Sequence, residues 1–294
     1  MSVIFDINFK KSKRSSPDTD RGLFLKGSNG SAVILAHGMT GSPQEMKFLG
    51  TFLNQRGYSV ICPRLANHGK PIEILKKTTW QEFYQSVRSA FLEMKAEHKF
   101  VFAAGLSMGA LLTLLLADDF GDKLSAVSCL SPTLFYDGWN TPWYKCFLPL
   151  AFITPLKRFL YFKEEPPYGI KNEQIQRLMH RYYSNTGLHN SEHVARYGYP
   201  YFPVTLFYQL HLLVRHLSKR LPNINVPLQL IQARNDDITS VKNSQFIYDR
   251  VKSSDKELIL LDNSYHVITA DQEREKVAEK VDSFFKKIIL QSAV

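Results

Sequence analysis

Short apolar runs alternate with amphipathic stretches along most of the chain. Leu23-Phe-Leu-Lys26 and Ala32-Val-Ile-Leu-Ala36 flank Gly27-Ser-Asn-Gly30, which predicts two strands joined by a turn. Ser42-Pro43 with Glu45 reads as a helix start, and a helix over 43–56 would carry Met46, Leu49, Phe52 and Leu53 inward. Gly57 ends it and 58–63 is the next strand; after a loop at 65–69, helical spacing runs through Phe83, Val87, Ala90, Phe91 and Met94 over 80–97. The apolar run from Phe100 meets Gly105-Leu-Ser-Met-Gly109, a Leu-rich helix follows directly, and 124–130 is another short strand ending in Ser131-Pro132. Strands and helices alternating at this spacing predict an α/β fold with a mostly parallel central sheet flanked by helices.

The pattern changes from about 134 to 222. Aromatic, proline-broken segments replace the alternation: Trp139, Trp143, Phe147, Phe152, then Lys163-Glu-Glu-Pro-Pro-Tyr-Gly169, with one further helix over 205–220. The alternation resumes in strands at 227–233 and 257–261 and an amphipathic helix over about 272–289. The expected organisation is a loose lead-in over 1–21, a core made of 22–133 and 223–294, and a helical cap inserted at 134–222.

Ser107 sits where the buried strand meets the helix. A turn that tight strains the serine backbone, pushes the hydroxyl clear of both elements and leaves no room for side chains on either side, which accounts for Gly105 and Gly109. The head of the helix also offers unspent N–H groups to a developing negative oxygen. A serine hydroxyl needs a base, and the base needs an acid to hold its tautomer. Loops at the carboxyl ends of parallel strands share one sheet edge. The loop after 227–233 carries Asp236 and Asp237, and the loop after 257–261 carries His266, downstream of both the serine and the aspartates. Asp236 is the preferred acid because Asp237 is followed by Ile238, which is expected to point into the core.

Composition narrows the partners. The 294 residues are 44% hydrophobic, enough for a large core, and carry a net charge of +10 spread along the chain. Lys10-Lys-Ser-Lys-Arg14 is the one tight basic cluster, read as a solvated tail, and no nucleic-acid-reading motif accompanies it. Cys62, Cys129 and Cys146 show no paired spacing, the N-terminus lacks the pattern of a secretory signal, and the expected location is cytoplasmic. The stretch 143–162 is broken by Lys145, Lys157 and Arg158, which favours peripheral contact with an anionic membrane surface over a span. His180, His189, His193, His211 and His216 lack carboxylate partners at metal-ligand spacing, so no metal and no cofactor is expected.

Six pieces taken together are more specific than any one motif: His37-Gly-Met-Thr-Gly41, Asn67-His-Gly69, Trp80, Gly105-Leu-Ser-Met-Gly109, Gln232-Ala-Arg-Asn-Asp236 and His266-Val-Ile-Thr-Ala-Asp271. In these the chain resembles the α/β-hydrolases, close to the carboxylesterase and monoacylglycerol-lipase-like group. The resemblance implies an oxyanion hole built from the backbone N–H groups of Met39 and Met108. It departs at Asn67, where glycine is usual, and at Ala110, where a third elbow glycine is frequent. His37 is expected to brace the oxyanion loop and His68 to hold its own loop. The implied activity is hydrolysis of small-molecule carboxylic esters of short to medium acyl chains, monoacylglycerols among them, through an acyl-serine. Thioesterase, acyltransferase or aminopeptidase chemistry would use the same residues, and a non-catalytic lipid-binding protein on this fold is the alternative of another class.

Overall fold

Ten strands and ten helices make up the computed structural model, which describes residues 3–5, 22–185 and 191–292. The strands are β1 (Val3–Phe5), β2 (Leu23–Leu25), β3 (Ser31–Ala36), β4 (Ser59–Cys62), β5 (Phe100–Leu106), β6 (Ala126–Leu130), β7 (Leu160–Lys163), β8 (Tyr201–Pro203), β9 (Leu228–Ala233) and β10 (Lys256–Leu261). The helices are α1 (Lys47–Asn54), α2 (Ile72–Leu75), α3 (Trp80–Glu97), α4 (Met108–Phe120), α5 (Leu148–Ile153), α6 (Glu173–Asn185), α7 (Ser191–Tyr197), α8 (Val204–Ser218), α9 (Lys242–Arg250) and α10 (Arg274–Gln291).

Seven strands form the central sheet in the order β10-β9-β6-β5-β3-β4-β2, parallel throughout except for β2. Burial on both faces explains why these strands read as continuous apolar runs. Every side chain of β3 is buried: Ala32 and Ile34 pack with Phe83 and Val87 of α3, while Val33 and Leu35 pack with Leu49 and Leu53 of α1 and Phe285 of α10. The sheet's carboxyl edge, where β3, β5, β9 and β10 end, is where the loops singled out in the sequence lie.

The structure departs from the sequence reading in four places. The turn at 27–30 does not make a hairpin, because β2 pairs antiparallel with β4 and β3 lies on the far side of β4. Gly27 N–H donates to Ser59 Oγ, and the amides of Ser28 and Asn29 donate to Gly57 O, so the turn wraps the start of β4. The helix expected over 43–56 begins instead as a 3-10 turn, Pro43–Met46, before α1. Lastly, Val3–Phe5, within the stretch read as a loose lead-in, is a strand, and the inserted segment is not purely helical. β1, β7 and β8 form a small antiparallel sheet, with Phe162 and Phe202 packed on Phe207 of α8. The cluster at 10–14 lies outside the described residues.

The inserted segment is pinned to the core near the sheet edge. Asp271 accepts hydrogen bonds from the backbone amides of Lys171 and Asn172 and from Tyr265 N–H, tying the loop after β10 to the segment before α6. Asp137 does the same for the loop after β9, accepting from Ser240 N–H and Oγ–H and from Asn243 Nδ2. The stretch 143–162 breaks into short turns around α5 and ends in β7, and among the described residues no helix is long and apolar enough to cross a membrane.

Candidate active site

The turn between β5 and α4 has the geometry that its glycines imply. Ser107 sits at φ 58° and ψ −119°, a left-handed conformation that costs a non-glycine residue about 1–3 kcal/mol. A Cβ on Gly105 would overlap Gly109 O, and a Cβ on Gly109 would overlap Ala36 O, so strand and helix approach as closely as backbones allow. Ser107 N–H donates to Leu130 O at 2.9 Å, anchoring the turn to β6. The Ser107 hydroxyl lies 2.9 Å from Thr133 Oγ1 and makes no hydrogen bond to His266 in this conformation.

The late loops separate the two adjacent aspartates by role. His266 Nδ1 lies 2.9 Å from Asp236 Oδ2 and 3.1 Å from Oδ1, so Nδ1–H donates to the carboxylate and Nε2 is left as an acceptor. Asp236 is itself held by Ile238 N–H, Thr239 N–H and Gln232 Nε2, the last at 2.7 Å. Asp237 turns to backbone instead, accepting from Gly169 N–H at 3.1 Å and from His266 N–H at 3.4 Å. Asp236 is therefore the carboxylate on the ring. Ile238, however, is only half-buried and lines the cavity described below rather than the core, so it is hydrogen bonding that separates the two aspartates. Burial by itself depresses the His266 pKa, but the charge of Asp236, its hydrogen bond, and the charges of Asp237 and Glu45 outweigh it, leaving the pKa above the ordinary 6.5.

The loop after β3 is organised by its carbonyls. His37 Nδ1–H donates to Gly38 O at 2.9 Å while His37 Nε2 accepts from Leu65 N–H, which sets the tautomer. His68 Nε2–H donates to Met39 O at 2.8 Å, and Tyr199 N–H donates to Thr40 O at 2.9 Å. Both histidines are fully enclosed, and burial foremost lowers their pKa values, to about 4 for His68, so they act as neutral braces. With three successive carbonyls tied down, the Met39 N–H finds no protein acceptor among the described residues, nor does the Met108 N–H at the head of α4.

Ser107, His266, Gly38, Met39 and Thr40 line a single cavity of about 230 Å³, roofed by the inserted segment through Tyr136, Tyr168, Tyr183 and Phe202. The aromatic residues prominent in the sequence are not its walls. Trp139, Trp143 and Phe147 are 58%, 78% and 57% exposed, and Phe152 packs on Tyr208 and His211. Of the other histidines, His180 meets Tyr168 OH, His211 and His216 pack on aromatic rings, and His189 lies outside the described residues.

Three carboxyl groups to which the sequence reading gave no place in the site also face this cavity: Glu45, Glu164 and Asp237. Burial pushes Glu45 up to about 7, against the Gly38 N–H that stabilises its charged form. Glu164 rises to about 8, from burial first and then repulsion by Asp237 and Glu45, and its Oε2 is wholly buried with no hydrogen-bond partner among the described residues. Burial chiefly raises Asp237 to about 6. The signal for Glu164 in the sequence is slight, an acidic pair between an apolar strand and Pro166-Pro167; Thr133 leaves none.

A strained serine at a strand-to-helix turn, beside a buried Asp–His pair on a mostly parallel sheet, defines an α/β-hydrolase. Residues 27–273 match the family model described as serine aminopeptidase, S33. The chain belongs to that family and is an enzyme of its esterase and lipase group. It is 27% identical over 263 residues to a carboxylesterase of Bacillus subtilis (strain 168), covering 87% of this chain and 93% of that protein. It is also 27% identical over 255 residues to a thermostable monoacylglycerol lipase of Bacillus sp. (strain H-257), covering 87% and 90%. Among solved structures, one of the metagenome-derived lipolytic enzymes LipS and LipT superposes with a TM-score of 0.74 at 27% identity, over 92% of this chain and 98% of the other. A monoacylglycerol lipase of Paleococcus ferrophilus shares the fold, with a TM-score of 0.71 at 20% identity, over 90% and 98%.

Proposed function

We propose that this enzyme hydrolyses carboxylic esters through an acyl-serine, with Ser107 as nucleophile, His266 as base, Asp236 as the acid that orients it, and the Met39 and Met108 amides as the oxyanion hole. The observation that carries this reading is the Asp236–His266 pair opening onto the same cavity as the Ser107 hydroxyl. Rotation of Ser107 away from Thr133 would hand its proton to His266 Nε2 as Oγ bonds to the ester carbon. The carbonyl oxygen, now negative, is met by the two unspent amides, and His266 returns the proton to the departing alcohol. Water then repeats the cycle: His266 takes its proton as the hydroxide adds to the acyl carbon, then gives that proton to Ser107 Oγ as the acyl–oxygen bond breaks and the acid leaves. Loss of the nucleophile costs roughly 10⁶ in such sites, so Ser107→Ala is expected to reduce turnover of a p-nitrophenyl ester to background. Retained turnover by that variant would falsify the assignment.

The substrate reading is a monoester of short to medium acyl chain and a polyol such as glycerol. Two of the relatives are monoacylglycerol lipases. The tyrosine and phenylalanine roof suits an acyl chain, and Glu164 Oε2, without a hydrogen-bond partner among the described residues, suits a hydroxyl of the leaving alcohol. The inserted segment exposes Trp143, Phe147, Leu150 and Ile153 as well as Arg158 and Lys163, a composition that suits contact with an anionic lipid surface, from which such esters would be drawn.

A further inference from the structure

Glu45 is unused by the chemistry above, yet its carboxyl group sits at the heart of the loop that would hold the oxyanion. It is the third residue after Ser42, which caps the 3-10 turn Pro43–Met46 by accepting from Gln44 N–H. In a capping box the side chain at this position would reach back to the N–H of the cap residue. Glu45 reaches further: Oε2 accepts the Gly38 N–H at 3.0 Å, across the 38–41 turn. The carboxyl fills the inside of that turn so fully that a Cβ on Gly41 would overlap it, and a Cβ on Gly38 would lie 3.3 Å from Oε2 and 3.7 Å from the Ser107 Cβ. The carbonyls of Gly38, Met39 and Thr40 are held from outside by His37, His68 and Tyr199. Glu45 supplies a hydrogen bond from within, to the Gly38 N–H.

We infer that Glu45 is a positioning residue for the ester reaction: by accepting the Gly38 N–H inside the 38–41 turn, it holds the neighbouring Met39 amide toward the oxygen that becomes negative. The inference rests on the oxyanion role proposed for Met39. Reach, rather than charge, is what the role demands, since a carboxylic acid or an amide oxygen accepts this hydrogen bond as a carboxylate does. A carboxyl raised to about 7 is largely neutral under mildly acidic conditions, which spares a nearby oxyanion from repulsion.

Two substitutions separate reach from charge. Glu45→Gln keeps the length and loses the charge; Glu45→Asp keeps the charge and withdraws the acceptor by one methylene. Steady-state hydrolysis of p-nitrophenyl butyrate and inhibition by an alkyl trifluoromethyl ketone, which a nucleophilic serine converts into a tetrahedral oxyanion, would be measured for both and for the unmodified enzyme. Misplacement of a reacting group by about 1 Å costs on the order of 10²-fold. Glu45→Asp is therefore expected to lose about that factor in kcat and a similar factor in ketone affinity, with KM little changed, while Glu45→Gln stays within about threefold of the unmodified enzyme. Equal activity of the two variants, the reverse order, or a loss confined to KM overturns the role of Glu45. An unmodified enzyme that hydrolyses the ester but escapes the ketone overturns the oxyanion reading beneath it instead.

Discussion

The carboxyl edge of the sheet and the inserted segment above it meet at one cavity but are built in opposite ways. At the sheet edge, backbone geometry does the positioning. The Ser107 turn, the close passage of Gly109 against β3 and the tied carbonyls at 38–40 leave no latitude, and the buried Asp236–His266 pair is held by amides and side chains on every side. The inserted segment keeps aromatic and aliphatic side chains in solvent, Trp143 at 78% and Ile153 at 82% exposure, and contributes tyrosines and the Glu164 carboxyl to the roof. The contrast suggests a division of labour: the edge carries the reaction, and the segment above it selects and collects what reacts.

Changes at the edge are therefore expected to act on rate, and changes on the exposed face on access. After the loss expected of Ser107→Ala, the largest effect should come from Asp236→Asn, which leaves the ring without the acceptor that sets its tautomer; losses of about 10⁴ in kcat are typical of this change in serine triads. Asp237→Asn, which spares the Asp236–His266 hydrogen bond while weakening backbone contacts to Gly169 and His266 and removing one charge near the ring, should lose far less in the same p-nitrophenyl ester assay. Equal losses would merge the two aspartates into one functional pair. Next in size is the pH profile. His266 must be neutral to accept a proton, and its pKa is raised by Asp236, Asp237 and Glu45 over the opposing effect of burial, so kcat/KM should fall on acidification with a midpoint above 6.5. Glu45→Gln removes one of those charges and should move this limb to lower pH; a limb that stays in place would mean that Glu45 is not charged when His266 titrates.

The smallest effect on chemistry, and the sharpest on access, is expected from the inserted segment. Phe147→Ser together with Ile153→Ser should leave turnover of a soluble ester unchanged. Burial of a large apolar side chain is worth about 1.5–3 kcal/mol, so the same pair should weaken sedimentation with phosphatidylglycerol vesicles by at least about tenfold. Unchanged vesicle binding would remove the collecting role from this face.

What the sequence discloses follows the same division. Buried strands announce themselves as apolar runs, and the elbow as two glycines around a serine, because the backbone there tolerates nothing else. The loops with Asp236 and His266 stand out in the sequence because each follows a late apolar strand, downstream of the serine. The pairing of β2 with β4 was not, since a Gly-rich turn between two strands looks the same whether it closes a hairpin or wraps a neighbour. Glu45 was visible only as a helix-start residue: its local pattern is that of a cap, and its reach to Gly38 depends on a 3-10 turn that periodicity does not distinguish from α-helix. The roof residues lie in a segment without regular period, so the exposed tryptophans drew attention while Tyr136, Tyr183 and Glu164 passed unmarked.

The central claim is that Ser107 is an activated nucleophile, and intact-mass analysis after exposure to a fluorophosphonate tests it most directly. The account expects one phosphonyl adduct, placed on Ser107 by peptide mapping, absent from Ser107→Ala and slowed by Asp236→Asn. An unlabelled enzyme that still hydrolyses esters, or an adduct on another residue, would contradict it.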